Sequence, residues 1–222
     1  IEETYFPTLL PPDEVAAMFL EPVLGEGGYI VPPAAFVKEL SRICRENGIL
    51  LVDDEVQAGM GRTGRMWAIE HFGVVPDVVC TSKALGSGLP IGAAIFPSHM
   101  DLVPGAHSNT FGGNLLACAS ALATLDVLET ERLLENAARV GSYLHQRLFE
   151  LQQHHETIGD VRGLGLMQAI ELVRDRRTKE HAVRERDVII EKCFKRGLIL
   201  LPAGRSAIRF IPPLIVENDF ID

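Results

Sequence analysis

No apolar run in this chain approaches the roughly 18 residues of a membrane-spanning helix. No stretch of Lys and Arg forms a continuous basic stripe, and the formal net charge is −9. Nucleic acid and anionic lipid call for the opposite sign, so neither partner is expected. Cysteine is sparse: Cys44, Cys80, Cys118 and Cys193 lie far apart and form no Cys-x-x-Cys pair. Each sits in an apolar segment, which fits four reduced, buried thiols and a cytosol-like compartment. His154 and His155 are adjacent at a polar helix end and point apart, so no metal site is expected. Internal repeats and low-complexity tracts are lacking. No Met or signal sequence opens the chain, and it stops at "ENDFID", where another helix is expected to start. A fragment or a partly ordered chain is therefore expected, and targeting is not read from it.

What is present suits a globular protein of one large domain, or a domain and a half. Apolar residues make up 47% and charged residues 23%. "AAMFLEPV" (residues 16–23) predicts a buried strand. A helix is predicted over residues 33–47: Phe36, Val37, Leu40, Ile43 and Cys44 share one face, Pro33 suits the first turn and Gly48 the exit. "ILLV" (49–52) is a continuous apolar run, typical of a strand covered on both faces. "VVCTS" (78–82) and "IGAAIF" (91–96) are two more strands. About 25 residues separate the Ile49 and Val78 strands, room for a crossover and a parallel pair. The short link over residues 83–90 is too small for a parallel crossover, so the Ile91 strand should run antiparallel.

From Asn114 the pattern turns helical, with "NLLACASALATLDVLE" and then a second helix carrying Leu133, Leu134, Ala137, Val140, Leu144, Leu148 and Leu151. After "HHETIGD" comes a β-α-β-β set: "GLGLMQAIELV", a helix near residues 182–195, "GLILLP" and "AIRFIPPLI". It predicts a smaller α+β domain from about Thr157.

One motif needs a decision. Gly59-x-Gly61-x-x-Gly64 follows an apolar strand, as in a dinucleotide-binding turn. That function also needs a helix N-terminus, and an acid roughly 20 residues on for the ribose. Here Asp53, Asp54 and Glu55 at the strand end would oppose pyrophosphate, and the later position holds Lys83-Ala84. The dinucleotide reading is rejected. Ligands of open α/β sheets bind outside the carboxyl ends of the strands. Asp54 and Lys83 each follow a predicted strand, and small residues around Lys83 let a planar ligand approach the backbone.

Five blocks now stand in order: "DDEVQAGMGRTG", "GVVPDVVCTSKALGSGLPIGA", "SNTFGGNLLACASAL", "IGDVRGLGLMQAIEL" and "IRFIPPL". In order and spacing the sequence resembles the class III pyridoxal-phosphate aminotransferases, a group that includes 4-aminobutyrate, ornithine and acetylornithine aminotransferases. The resemblance covers essentially all 222 residues and corresponds to the carboxyl-terminal half of such an enzyme. It implies an α/β, fold-type-I transferase. A large domain with a mostly parallel sheet and one antiparallel strand would take in residues 1–156 with a linking helix, and a smaller, incomplete α+β domain residues 157–222. It also implies a homodimer or a dimer of dimers with a shared active site, and a cytoplasmic enzyme.

The resemblance also implies roles. Lys83 matches the lysine that forms the Schiff base with pyridoxal 5'-phosphate and then moves the proton, which requires a neutral amine. Asp54 matches the acid paired with the pyridine nitrogen, which keeps the ring an electron sink. Gln57 resembles the glutamine near the cofactor's 3′-oxygen. Val56 resembles the residue packed on the ring face, although core packing explains a valine nearly as well. Thr110 resembles a threonine that reaches the neighbouring subunit's cofactor phosphate. Arg209 resembles the arginine that grips the substrate carboxylate. Glu26 resembles a glutamate that masks this arginine when ω-amines bind and swings away for α-amino acids. Glu21 lies near the site in relatives and has no assigned role. Leu115 departs from the family's "FGGNP", and the family's phosphate loop and ring-stacking aromatic lie upstream of Ile1.

The implied function is transfer of an amino group from an amine to 2-oxoglutarate. 4-Aminobutyrate is the first candidate donor, with ornithine or N-acetylornithine behind it. A racemase or epimerase on the same scaffold is an alternative, and a non-catalytic homologue another.

Overall fold

The computed structural model describes residues 1–100 and 102–222. In chain order its elements are α1 (Tyr5–Thr8), β1 (Ala17–Leu20), α2 (Ala34–Glu46), β2 (Leu50–Asp54), β3 (Val78–Thr81), β4 (Ala93–Ile95), α3 (Leu115–Thr130) and α4 (Leu133–His154). Then follow β5 (Ile158–Leu164), β6 (Met167–Asp175), β7 (Glu180–His181), α5 (Val183–Lys195), β8 (Leu201–Ala203) and β9 (Ala207–Phe210). Two compact units form. The first comprises Ile1–Pro22, Pro32–Met60 and Trp67–Glu129; the second comprises Val23–Val31, Gly61–Met66 and Thr130–Asp222. The expected boundary at residues 156/157 thus falls inside the second unit, because the buried face of α4 packs into the same core as β5 and β6.

The first unit is built on a four-stranded sheet in the order β1-β2-β3-β4. β1 and β2 are parallel, as are β2 and β3, while β4 runs antiparallel to β3. The parallel β2–β3 pair and the antiparallel β4 are as the link lengths predict. α2 begins after Pro33 and ends at Gly48, whose φ of +67° suits a helix exit. Its Leu40 and Cys44 bury against Ile49 and Leu51. Two expectations fail here. Phe36 is half exposed rather than part of the buried stripe. Among the described residues β1 pairs only with β2, and its Phe19 is 74% exposed rather than buried, because no element among them covers that face. Cys44 is buried, but Cys80, Cys118 and Cys193 are only partly so.

The second unit carries an antiparallel sheet in the order β5-β6-β9-β8, with β7 on β6. α4 contributes Ala137, Val140, Leu144 and Leu148 to its core, with Leu166 from the β5–β6 turn and Ile170, Leu172 and Ile208 from the sheet. Leu151, expected on this face, is exposed. β5 is an extra strand that the periodicity does not announce. Its glycines, Gly159 and Gly163, and a register shift between Ile158 and Asp160 break the alternation of two. The helix α4 also packs closely at Gly141, where a Cβ would lie 2.1 Å from the Gly165 carbonyl carbon. No helix among the described residues is long and apolar enough to cross a membrane.

Candidate active site

Three carboxyl ends of parallel strands lie side by side in the first unit. Leu20 of β1 is level with Asp53 of β2, and Asp54 with Cys80 of β3. Glu21 therefore stands one residue past its strand, Asp54 at the tip of its own, and Lys83 three residues past the register partner of Asp54. The ladder carries on beyond the strand, since the Glu55 amide donates to the Cys80 carbonyl at 2.9 Å. The sheet thus brings Asp54 and Lys83 to one edge, with the acid and the amine on neighbouring strands.

Alternation along β2 sorts its three acids. Asp53 and Glu55 are buried, and Asp54 between them is half-buried. One Asp54 oxygen accepts the Val56 amide at 3.1 Å, which turns the chain after the strand. Glu55 accepts the Ile69 amide at 2.8 Å and so fixes the loop that follows. Asp53 has no such donor among the described residues. Burial, with the nearby Glu55 charge adding to it, pushes its carboxyl up from 3.8 to about 9. Burial raises Glu55 as well, against the backbone amides that donate to it. Asp53 is thus a neutral acid at pH 7, unfit to pair with a cation, and Asp54 is the carboxylate on offer.

Lys83 is exposed and opens a short 3-10 turn, Lys83–Gly86, directly after β3. Its φ of +42° lies in the left-handed region, which costs a side-chain-bearing residue about 1–3 kcal/mol. Ser82 before it donates to the Ile91 carbonyl at 2.6 Å and pins the turn. Gly88, at φ +106°, has open space where a Cβ would be. Val56 and Gln57 are half-buried in the turn after β2. An anionic carboxylate, an accessible primary amine and glycine-lined backbone around them fit a flat, phosphorylated pyridine aldehyde.

The glycines of the opening motif do other work. Gly59 has no room for a Cβ, which would meet the Glu55 carbonyl oxygen at 2.8 Å. Gly64, at φ +86°, would place one 2.8 Å from the Ala138 Cβ. No α-helix opens after Gly64; the next element is the 3-10 turn Ala68–Phe72. The motif serves chain turning and close packing, not pyrophosphate.

Thr110 is exposed in a turn closed by Asn109, whose side-chain oxygen accepts the amides of Phe111 and Gly112 at 3.0 Å each. Next to it, Asn114 caps α3 by accepting the Ala117 amide at 2.9 Å. That cap lets Leu115 stand as the first helical residue without a proline there.

The second unit brings Glu26 and Arg209 together. Arg209 Nη1 donates to Glu26 Oε1 at 2.6 Å; the arginine side chain is 15% exposed and the glutamate 74%. Arg209 sits within β9, paired with Ala169 of β6 and Leu201 of β8, so its Cα is held by the sheet. Two neighbours escaped the sequence reading. Arg62 is half-buried and donates to the backbone carbonyls of Leu166 and Pro212; burial drops its pKa to about 10. Tyr29 is fully buried, with φ +57°. Neither position carries a signal that local pattern could read, since their partners are distant in sequence.

With this geometry in view, comparison with known proteins decides the family. The Aminotransferase class-III model matches residues 6–222. The chain belongs to the class III aminotransferases. It is 44% identical to a leucine/methionine racemase of Thermococcus litoralis over 95% of this chain and 48% of that protein. It is 40% identical to a probable 4-aminobutyrate aminotransferase of Bacillus subtilis over 98% of this chain and 51% of that one. A PLP-bound amine transaminase from an uncultivated Pseudomonas species superposes with a TM-score of 0.90 at 38% identity, covering 99% of this chain and 52% of that one. The chain therefore spans about half the length of these class III relatives. The fold is that of the pyridoxal-phosphate transaminases, and pyridoxal phosphate is the family's cofactor.

Proposed function

We propose that the whole protein is a pyridoxal-phosphate-dependent aminotransferase that moves an amino group from an ω-amine to 2-oxoglutarate. The observation that carries this reading is the placement of Asp54 and Lys83 on adjacent parallel strand ends, with Lys83 held at φ +42°. Bound cofactor supplies an electron sink for the carbon that bears the amine. Asp54 presents a carboxylate for a cationic ring nitrogen. The Lys83 amine holds the cofactor and, once displaced by substrate, carries a proton away from that carbon and returns it to its new position. Val56 and Gln57 line the turn beside Asp54, and there Val56 would pack against the bound cofactor and Gln57 would offer its amide to it. Thr110 serves the phosphate held by a second copy, which makes the working enzyme a homodimer or a dimer of dimers.

Arg209 binds a substrate carboxylate through its planar fork, and Glu26 masks it when the bound donor has its amine far from its carboxylate. Similarity to a probable 4-aminobutyrate aminotransferase supports such a donor, with ornithine or N-acetylornithine next. Glu21 stands at the same strand edge as Asp54 and remains without a role. A cytoplasmic location is part of the same reading. A second reading, amino-acid racemisation by the same lysine and acid, draws on the similarity to a leucine/methionine racemase. A non-catalytic homologue is disfavoured because Lys83, Asp54 and Gln57 are all in place.

The full-length enzyme, offered a panel of α- and ω-amines, should turn over only with 2-oxoglutarate present and should prefer an ω-amine. Racemisation or α-proton exchange without oxo-acid-dependent turnover would establish the second reading instead. Lys83→Ala should lose the visible absorbance of bound cofactor and about 10²–10⁴-fold or more in rate. An unchanged spectrum in that variant would end both enzyme readings.

A further inference from the structure

A buried phenol without a well-formed hydrogen bond is costly, and Tyr29 is one, its hydroxyl making only a loose polar contact with Arg209. Its side chain is 0% exposed, and its hydroxyl makes no well-formed hydrogen bond among the described residues. An unsatisfied buried hydroxyl costs about 1–3 kcal/mol, a cost a phenylalanine would avoid while packing equally well. The backbone adds to it, because a bulky residue at φ +57° is strained by about 1–3 kcal/mol. The surrounding loop enforces this placement. Leu24 donates to Ile30 at 3.0 Å, the Gly204 amide to Glu26 at 2.8 Å, and Arg162 Nε to the Gly28 carbonyl at 2.9 Å. Arg162 is itself held by Glu171 at 2.5 Å.

What the strained tyrosine faces is specific. Its hydroxyl lies beside the Arg209 guanidinium, within electrostatic reach of Arg62 and Glu26. Arg209 has an orphan of its own, since its Nε is buried with no acceptor among the described residues while Nη1 is committed to Glu26. A donor and an acceptor without partners thus lie on neighbouring side chains. Burial pushes the Tyr29 phenol up, with the Arg209 charge opposing, so it stays neutral at neutral pH and its oxygen can accept.

We propose that Tyr29 is a positioning residue that latches Arg209 in its Glu26-free orientation, its phenol oxygen accepting the Nε–H once Nη1 is released. Arg209 then has two partners for two states. Glu26 holds the masked state seen here, and Tyr29 holds the state that receives a carboxylate. The inference rests on the proposed gate and makes Tyr29 a determinant of the balance between α-carboxylate and ω-amine substrates.

Tyr29→Phe in the full-length enzyme removes the oxygen and keeps the ring. The KM for 2-oxoglutarate, and the Kd for the non-reacting dicarboxylate glutarate by calorimetry, should rise about tenfold. The KM for 4-aminobutyrate and kcat should change by less than twofold. In a Glu26→Ala background, where no masked state competes, the same substitution should shift the 2-oxoglutarate KM by less than threefold. A tenfold effect in both backgrounds, equal effects on both substrates, or no effect at all would overturn the latch. A wild-type enzyme that binds cofactor but fails to use 2-oxoglutarate would refute the proposed function as well, whereas a normal wild type with an indifferent Tyr29→Phe refutes only the latch.

Discussion

The two units solve different physical problems. In the first, the candidate groups sit at the tips of parallel strands, and the reactive amine is exposed on a strained turn. In the second, the candidate groups lie within an antiparallel sheet and its flanking loop, paired, with Arg209 largely buried and Glu26 exposed. A parallel sheet brings the ends of several strands to one edge, so residues far apart in sequence meet there with little packing around them. An antiparallel sheet holds side chains by their neighbours on the ladder, which suits recognition that must keep its geometry. On the proposed function, the first unit would carry the groups for chemistry and the second the groups for carboxylate recognition.

The largest expected effect that can break this division is at Arg209. Arg209→Leu should cost about 100-fold in kcat/KM for 2-oxoglutarate, since charge-assisted hydrogen bonds contribute about 1.5–3 kcal/mol. The loss should reside in KM. A fall confined to kcat would place Arg209 in the chemical step and erase the contrast.

Next comes Gly141→Ala. Helix propensity alone favours alanine by about 1 kcal/mol, yet the Gly165 backbone stands where the methyl would go. Overpacking should therefore lower stability by about 1–3 kcal/mol, read from the urea midpoint. Unchanged or raised stability would mean the second unit is packed more loosely than its sheet and helix suggest.

The effect that depends most on pH belongs to Asp53→Asn in the first unit. The folded carboxyl is raised from 3.8 to about 9, chiefly by burial, so it is neutral in the fold and charged when unfolded. The stability it contributes is full below about pH 4 and is lost as pH rises through about 9. Asparagine should change little near pH 4 and flatten the decline above it. An equally steep decline in the variant would remove Asp53 as its source.

The extent to which this protein was legible in advance follows from the range of each interaction. Periodicity and link lengths foretold α2, the parallel β2–β3 pair and the antiparallel β4, because those signals are local. They overreached at Phe36, Phe19 and Leu151, since an apolar stripe states which side chains are fit for burial and not which are covered. They missed β5, whose glycines and bulge erase the alternation. Asp54 and Lys83 could be picked out because each directly follows an apolar strand. Glu26 and Arg209 were named only through family resemblance, and Tyr29 and Arg62 not at all.

By itself, then, the chain's order of residues determined its strands, its helices and the edge on which an acid and an amine would emerge, since backbone pairing and apolar spacing act over short distances. Tertiary structure alone decided that Asp53 is buried and its carboxyl raised by that burial, that the glycines of a nucleotide-like motif make room for neighbouring chain, and that a strained tyrosine lies against Arg209. Burial and close approach depend on how separate segments pack against one another, and no local pattern records that.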